Sequence, residues 1–229
     1  MINFKNADSF LTPYPYMILD NCFDLNVFDK LNLEFPDNSN SKLVMGGRRQ
    51  MNTSNSQRIL PDYEEWIKSA PTWGQFYKWI NTDNIFHSII SHYSAELRSF
   101  KSKVDLRSSI HSDCYTHIDW STAEDGYVRE IHTDTTKRIW NYLIFFNDKD
   151  WEGGDFIIHS PIKSIEKQQQ YFNNELPIHK VIEAKANRAL FFLSTPDSYH
   201  SVSLQANTKT PRKFIYGSYS YKHGNVFEA

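Results

Sequence analysis

The sequence is poor in cysteine, in net charge and in long apolar runs. Its 229 residues include two cysteines, Cys22 and Cys114, which lie far apart and form no Cys-x-x-Cys pair. A disulfide framework is therefore not expected, and a reducing cytosol is the expected compartment. The formal net charge of −2 argues against a general nucleic-acid coat, although a local basic groove stays compatible with it.

The sequence also shows no pattern typical of a transmembrane segment or a signal peptide. The longest apolar runs, such as 142–146, are far shorter than the roughly 20 residues that span a bilayer. The first residues show no basic stretch followed by an apolar one, so no signal peptide is visible. We expect a soluble cytoplasmic protein without a membrane partner; its oligomeric state stays open.

The sequence does contain many apolar and aromatic residues. About 40% of the residues are apolar and 15% aromatic, enough for a sizeable core that leans toward β-structure. No internal repeat or linker is visible, so one domain over 1–229 is the simplest division. Within it, 1–102 reads as an N-terminal strand with supporting helices, and 103–229 as a catalytic core of strands.

Local patterns predict the elements of the N-terminal part. A strand is expected at 16–19, and a helix capped by Asp24 should end before Pro36. Two further helices are expected at 71–81 and 82–100. The polar segment 38–57 carries Gly46-Gly47 and Arg48-Arg49 and is predicted to be a loop, with a lid over substrate as the alternative.

After residue 103, short runs rich in β-branched and aromatic residues alternate with polar turns. Eight strands are expected, at 104–115, 127–132, 139–146, 155–159, 178–183, 188–193, 200–204 and 212–221. The pattern predicts a mainly β fold with helices (α+β), namely a double-stranded β-helix (jelly roll) with an N-terminal helical layer. A β-sandwich without any metal would give the same strand pattern.

A His-x-Asp triplet occurs three times, and in a strand it places an imidazole and a carboxylate on one face. His132 and Asp134 have the best surroundings, because a core strand and the Gly153-Gly154 turn follow them. The triplets at His111 and His117 are interpreted as structural or surface pairs.

A third ligand is expected from a later strand, and His200 fits. Two histidines and one carboxylate leave coordination positions open, which suits non-haem Fe(II) activating dioxygen. Arg212 opens the last strand, and its planar guanidinium suits a carboxylate such as the distal one of 2-oxoglutarate.

Taken together, these segments resemble the 2-oxoglutarate/Fe(II) oxygenase superfamily and its prolyl-4-hydroxylase-like branch of bacteria and phages. The resemblance is carried by PYPYMILDN (13–21), GYVREIHTD (126–134), LIFFN (143–147), WEGGDF (151–156), RALFF (188–192), YH (199–200) and PRK (211–213).

The resemblance implies a dioxygenase that uses Fe(II), 2-oxoglutarate and O2, with ascorbate as a further cofactor. His132, Asp134 and His200 would hold the iron, and Arg212 the cosubstrate. Tyr115 and Asn141 would line the cosubstrate pocket. Many relatives carry a small hydroxyl residue two positions after the arginine, where this chain has Phe214, so the second partner of the cosubstrate carboxylate stays unassigned.

Hydroxylation is the implied reaction, because relatives that halogenate lack the carboxylate that Asp134 supplies. The substrate would be a small molecule or a peptide, with peptidyl proline as one class. Two other functions fit the same residues: a non-catalytic jelly-roll binding or structural module with a vestigial metal site, and a hydrolytic zinc enzyme.

Overall fold

A computed structural model describes residues 1–55, 58–82, 88–89, 92–93, 114–135, 137–162 and 175–224. The predicted strand 104–115 lies outside this part of the chain except for its last two residues. The predicted helix 82–100 also lies largely outside it, as does the His111/Asp113 triplet.

Two antiparallel sheets form the body of the described structure. The large sheet has the order β1-β2-β12-β9-β14-β7-β4-β3. Its strands are β1 (Asp8–Phe10), β2 (Tyr16–Leu19), β3 (Lys42–Met45), β4 (Arg48–Asn52), β7 (Cys114–Ala123), β9 (Arg138–Phe145), β12 (Ala189–Leu193) and β14 (Arg212–Tyr221).

The small sheet has the order β11-β10-β13-β8 and packs its apolar side chains against the large one. Its strands are β8 (Arg129–His132), β10 (Phe156–His159), β11 (Ile178–Ile182) and β13 (His200–Val202). A separate two-stranded ribbon joins β5 (Ser54–Asn55) to β6 (Arg58–Ile59). This architecture confirms the predicted fold class, a mainly β jelly roll with helices.

Within the described residues, three α-helices pack on the outer face of the large sheet: α1 (Leu25–Leu33), α2 (Pro61–Trp66) and α3 (Pro71–Ile80). Asp24 caps α1 as predicted, since its Oδ1 accepts a hydrogen bond from Asn26 N at 3.0 Å. The helix buries Phe28 and Leu31 against the sheet. Among the described residues, no helix is both long and apolar enough to cross a bilayer.

Strand alternation divides the interior into two cores. On β9, even-numbered side chains such as Tyr142 and Ile144 pack toward the helices, while Leu143 and Phe145 face the small sheet. Side chains alternate between the two faces of a strand, so every central strand supplies both cores. The core between the sheets is the one that surrounds the candidate site.

The prediction of a loop over 38–57 is wrong for most of that segment. β3 and β4 form a hairpin around Gly46-Gly47, and β4 pairs with β7 so that the hairpin extends the large sheet. Gly47 has a φ of +67°, and a Cβ there would lie 2.6 Å from the Asp125 carbonyl oxygen. A Gly-Gly pair between two short strands is a typical hairpin signal. The prediction of a loop gave more weight to the polar composition of β4.

The strand boundary near residue 115 is also wrong. β7 continues to Ala123 through residues that were not predicted to be in a strand, and it pairs along its whole length with β14. Tyr115, His117 and Asp119 line the cavities of the site. Because these polar residues alternate with the core residues Ile118 and Trp120, the segment lacks the continuous apolar run of a central strand.

Candidate metal centre

His132 and His200 are cross-strand partners in the small sheet. His132 ends β8, His200 begins β13, and their ring centroids lie 4.3 Å apart. Asp134 follows two residues after His132, with its Oδ2 3.5 Å from His200 Nε2. One ligand atom from each of the three residues lies within 4.8 Å of the others. The structure thus brings together the three residues that the sequence selected as metal ligands.

Hydrogen bonds set the tautomer of both imidazoles. A carbonyl oxygen can only accept, so the Nδ1–H of His132 donates to Glu130 O and that of His200 to Ser198 O, each at 2.8 Å. Each Nε2 is left with a lone pair, the form in which histidine binds a metal.

Burial keeps the two imidazoles neutral. Burial together with the nearby His200 ring lowers the pKa of His132 to about 4. The pKa of His200 is also lowered, chiefly by burial. Phe156 and Phe192 enclose the His200 ring, with centroids 5.2 and 4.9 Å from its own. Neither histidine must therefore lose a proton at neutral pH before it binds a cation.

The Asp134 carboxylate is held by two side chains. Arg138 Nη1 lies 2.5 Å from Oδ1, and the Tyr216 hydroxyl lies 2.9 Å from Oδ2. Tyr216 also approaches Asn141 Oδ1 at 3.1 Å. Burial raises the pKa of Asp134. Its electrostatic interactions with the His200 ring and the Arg138 guanidinium, together with the hydrogen bond from the Tyr216 hydroxyl, outweigh burial, so the pKa is below its usual value.

Sequence reasoning missed the role of Arg138, and a β-bulge explains why. Arg138 and Trp140 are two residues apart, so regular alternation would place both side chains on the same face of β9. The Trp140 side chain faces the helices. The register between β9 and β14 shifts so that Tyr219 opposes Trp140 while Ser220 opposes Arg138. The extra residue, Ile139, reverses the alternation and turns Arg138 toward the metal ligands. Strict alternation could not have found it.

Arg212 is buried in the core between the sheets with 3% of its surface exposed. Its Nη1 donates to the Gly154 carbonyl, and its guanidinium carbon lies 4.7 Å from the Phe214 ring centroid and 5.1 Å from that of Tyr127. Its Nε has no hydrogen-bond partner, and no carboxylate within the described residues forms an ion pair with it. Burial lowers its pKa to about 10. Such a cation fits an anionic ligand.

Gly154 is required beside this arginine. Its φ is +69°, and a Cβ would lie 3.2 Å from Arg212 Nη1 and 3.0 Å from Trp151 Nε1. The backbone therefore approaches Arg212 closely at this glycine, and Gly154 supplies the carbonyl that Arg212 contacts.

The two remaining predicted pocket residues differ in their placement. Asn141 is fully buried and contacts Tyr216 beside the metal ligands. Tyr115 instead lines an adjoining cavity of about 310 Å³, which shares Arg138 with the main one. The His117/Asp119 triplet forms an internal pair, with Nε2 and Oδ1 2.7 Å apart, and does not join the metal ligands.

The three candidate ligands His132, Asp134 and His200 open onto a cavity of about 330 Å³ between the two sheets. Its walls combine apolar side chains such as Leu143, Phe156 and Phe214 with Arg48, Arg129 and Arg138. Two neutral imidazoles and one carboxylate leave several coordination positions for exogenous ligands, so the donor set fits Fe(II) with a chelating cosubstrate. The unpaired guanidinium of Arg212 adds a place for an anion.

By sequence, the chain matches no protein-family model and no curated protein. Among solved structures, a prolyl-4-hydroxylase from Pseudomonas putida is similar, with a TM-score of 0.57 and 13% identity, over 90% of this chain and 92% of that chain. A 2OG-Fe(II) oxygenase family oxidoreductase from Burkholderia pseudomallei has a TM-score of 0.53 and 10% identity, over 93% and 86% of the two chains.

A third similar structure is HygX from Streptomyces hygroscopicus, which was crystallised with nickel and 2-oxoglutarate. Its TM-score is 0.54 at 8% identity, over 93% of this chain and 85% of that chain. At such identities the likeness establishes the fold. The chain has the fold of the 2-oxoglutarate/Fe(II) oxygenases and carries a His-Asp-His cluster between its sheets.

Proposed function

We propose that the protein is an Fe(II)- and 2-oxoglutarate-dependent dioxygenase that hydroxylates its substrate. The observation that carries the proposal is the convergence of His132, Asp134 and His200, whose ligand atoms lie within 4.8 Å of one another. Both imidazoles point an unprotonated Nε2 away from their backbone hydrogen bonds. This is the two-histidine, one-carboxylate set that suits non-haem iron.

When bound, iron and 2-oxoglutarate would supply the oxidising chemistry, with succinate and CO2 as the coproducts of substrate hydroxylation. The residues of the chain would hold and orient the reactants. His132, Asp134 and His200 would bind one face of the metal, and Arg138 would keep the Asp134 carboxylate from turning. Arg212 would neutralise the distal carboxylate of the cosubstrate.

The apolar walls have a separate role in this proposal. Leu143, Phe156 and Phe214 line the cavity and would limit the access of water to the reacting atoms. Exclusion of water also strengthens the interaction between a buried guanidinium and a carboxylate, because the local dielectric constant is lower.

The substrate would be a small molecule or a peptide. Peptidyl proline is the first class to test, because the similar structure from Pseudomonas putida is a prolyl-4-hydroxylase. Succinate release measured against a panel of proline peptides, free amino acids and nucleotides would identify the class.

Anaerobic titration of the protein with Fe(II) and then 2-oxoglutarate tests the proposal. We expect the metal-to-ligand charge-transfer band of chelated 2-oxoglutarate, and its loss in His132→Ala. His117→Ala is the matched control, because it removes the histidine of the other described His-x-Asp triplet. A vestigial module would bind no metal, and a zinc hydrolase would bind metal without producing the band; either result would refute the oxygenase.

A further inference from the structure

Arg48 and Arg212 occupy one cross-strand row of the large sheet. Arg48 on β4 and Arg212 on β14 are both register partners of Ala123 on β7, which lies between them. Residues directly opposite each other in a sheet point to the same face, so both arginines project into the space between the sheets. The hairpin that was predicted to be a loop therefore contributes a cation beside the candidate site.

The two guanidiniums meet at one aromatic ring. The guanidinium carbon of Arg48 lies 5.4 Å from the Phe214 ring centroid, and that of Arg212 lies 4.7 Å from it. Since both distances end at the same centroid, the two carbons are at most about 10 Å apart. A carboxylate that accepts hydrogen bonds of about 2.8 Å can bridge two guanidiniums whose carbons lie within that limit.

Neither arginine forms an ion pair with an acid in the described part of the chain. Arg48 donates through Nε and Nη2 to the Ser121 hydroxyl, at 3.2 and 2.9 Å, and Arg212 donates to a backbone carbonyl. The carboxylate of Asp155 influences Arg212 from a distance, but it is paired with Lys149 at 2.9 Å. Each of these two neighbouring cations therefore has only neutral hydrogen-bond partners in the described part of the chain, Ser121 for Arg48 and Gly154 for Arg212. An anion between them would stabilise this arrangement.

We infer that Arg48 and Arg212 together form a carboxylate site, in which Arg48 is the second partner of the distal carboxylate of 2-oxoglutarate. This inference rests on the proposed function. On the inner face of β14, Phe214 lies between Arg212 and Tyr216, and Tyr216 contacts the metal ligand Asp134. Arg212 and Tyr216 are four residues apart, about 13 Å along the strand. A five-carbon dicarboxylate, together with the guanidinium and the metal that it would contact, would fill that span. Phe214 itself offers no hydrogen bond to a carboxylate.

Glutarate is the probe, because it has both carboxylates of 2-oxoglutarate but lacks the 2-oxo group that chelates a metal. We would titrate it calorimetrically into the metal-free full-length chain. Arg48→Gln should weaken glutarate binding about tenfold or more, whereas Arg48→Lys, which keeps the charge but not the planar fork, should fall between that variant and the wild type. Arg49→Gln removes the same charge from the same hairpin one residue away and should change binding less than about twofold.

A competition titration assigns the carboxylate to the cosubstrate. We expect 2-oxoglutarate to displace glutarate, and 2-oxopentanoate, which lacks the distal carboxylate, to leave it bound. Failure of 2-oxoglutarate to compete would assign the site to another anion and overturn the inference. So would absent glutarate binding by the wild-type chain, or equal losses in Arg48→Gln and Arg49→Gln.

The two experiments distinguish failure of the proposed oxygenase function from failure of the inference about Arg48. If the protein is not an oxygenase, Fe(II) and 2-oxoglutarate would give no charge-transfer band, while glutarate would still separate Arg48→Gln from Arg49→Gln. If this inference alone fails, the band forms and the two variants bind glutarate equally. Thermal unfolding of each variant establishes whether the hairpin is still folded, and Arg48→Lys tests the site in a variant that keeps the cation.

Discussion

Arg138 and Asp134 are joined by a hydrogen-bonded ion pair of 2.5 Å, four residues apart in the chain. The Tyr216 hydroxyl bonds to the second oxygen of the same carboxylate at 2.9 Å. With one partner on each oxygen, the carboxylate is held in a single orientation beside His132 and His200. Residues of this kind set the geometry of a metal site without binding the metal themselves.

Replacement of Arg138 by methionine should weaken metal binding. Without the guanidinium the buried carboxylate loses its cation and one of the two hydrogen bonds that orient it, so we expect the affinity for Co(II) to fall about 10- to 100-fold. Calorimetric titration with Co(II) measures the change. Lys137→Met is the control, because Lys137 is the exposed neighbour and its loss should leave the affinity within about twofold. Equal affinities in both variants would show that Arg138 does not orient Asp134.

Much of the fold could be predicted because its central strands are apolar. β2, β9, β12 and β14 were located to within a residue or two from runs of aromatic and β-branched residues. The proximity of His132 and Asp134 followed from the two-residue period of a strand. The cross-strand pairing with His200 required the resemblance to a known fold, because spacing along the chain does not determine which strands meet.

The wrong predictions for β4, β7 and Arg138 each have a local physical cause. β4 reads as Arg-Arg-Gln-Met-Asn, and its polar side chains suggested a loop although they face a cavity. β7 was cut short for the same reason. Arg138 was overlooked because a bulge reverses the alternation. Hydrophobic patterning finds strands that face a core and is insensitive to strands that face a site.

Asn187 should be one of the more sensitive positions outside the site. It has a φ of +59°, is 3% exposed, and its side-chain amide bonds to both the N–H and the carbonyl of Phe23 at 2.9 Å. Asn187→Ala leaves those groups unpaired in a left-handed backbone and should cost about 2–4 kcal/mol of unfolding free energy. Asn187→Gly loses the same hydrogen bonds but relieves the backbone strain, so it should be about 1 kcal/mol less destabilising than Asn187→Ala.

Asn207 provides the comparison for that measurement. It also has a positive φ, of 53°, but it is exposed, so Asn207→Ala should cost only about 1 kcal/mol. Urea denaturation of the three variants measures the differences. If Asn187→Ala and Asn207→Ala were equally destabilising, the hydrogen bonds to Phe23 would contribute nothing.

His159 should make the folded state sensitive to mild acid. It is 4% exposed; its Nδ1–H donates to Leu176 O, and its Nε2 accepts from Ser201 Oγ at 2.8 Å. Burial lowers its pKa, so below an unfolded value of about 6.5 the unfolded chain binds more protons. The stability that its neutral form contributes is present above that pH and is lost as the pH falls toward the folded pKa.

Replacement of His159 by glutamine should therefore flatten the decline of unfolding free energy between pH 7 and pH 5. The slope should not vanish, because His132 and His200 also have lowered pKa values. His179→Gln is the control, since His179 is exposed on β11. Urea denaturation at half-unit pH steps gives the slope, and an unchanged slope in His159→Gln would refute this account.

Gly217 and Tyr142 should show strong energetic coupling. Gly217 lies in the middle of β14, and a Cβ at that position would be 2.0 Å from Tyr142 Cζ, a contact that a fully buried ring cannot relieve. Gly217→Ala should therefore cost more than about 3 kcal/mol or prevent folding. In a Tyr142→Ala background the same change should cost far less, because the space vacated by the ring accepts the methyl group.

A double-mutant cycle by urea denaturation should give a coupling energy of about 2 kcal/mol or more. If Gly217→Ala does not fold but the double variant Gly217→Ala/Tyr142→Ala does, the two positions are coupled in the same way. The same cost in both backgrounds would mean that the strand moves away from the ring, and the close approach of β14 to Tyr142 would then not restrict this position to glycine.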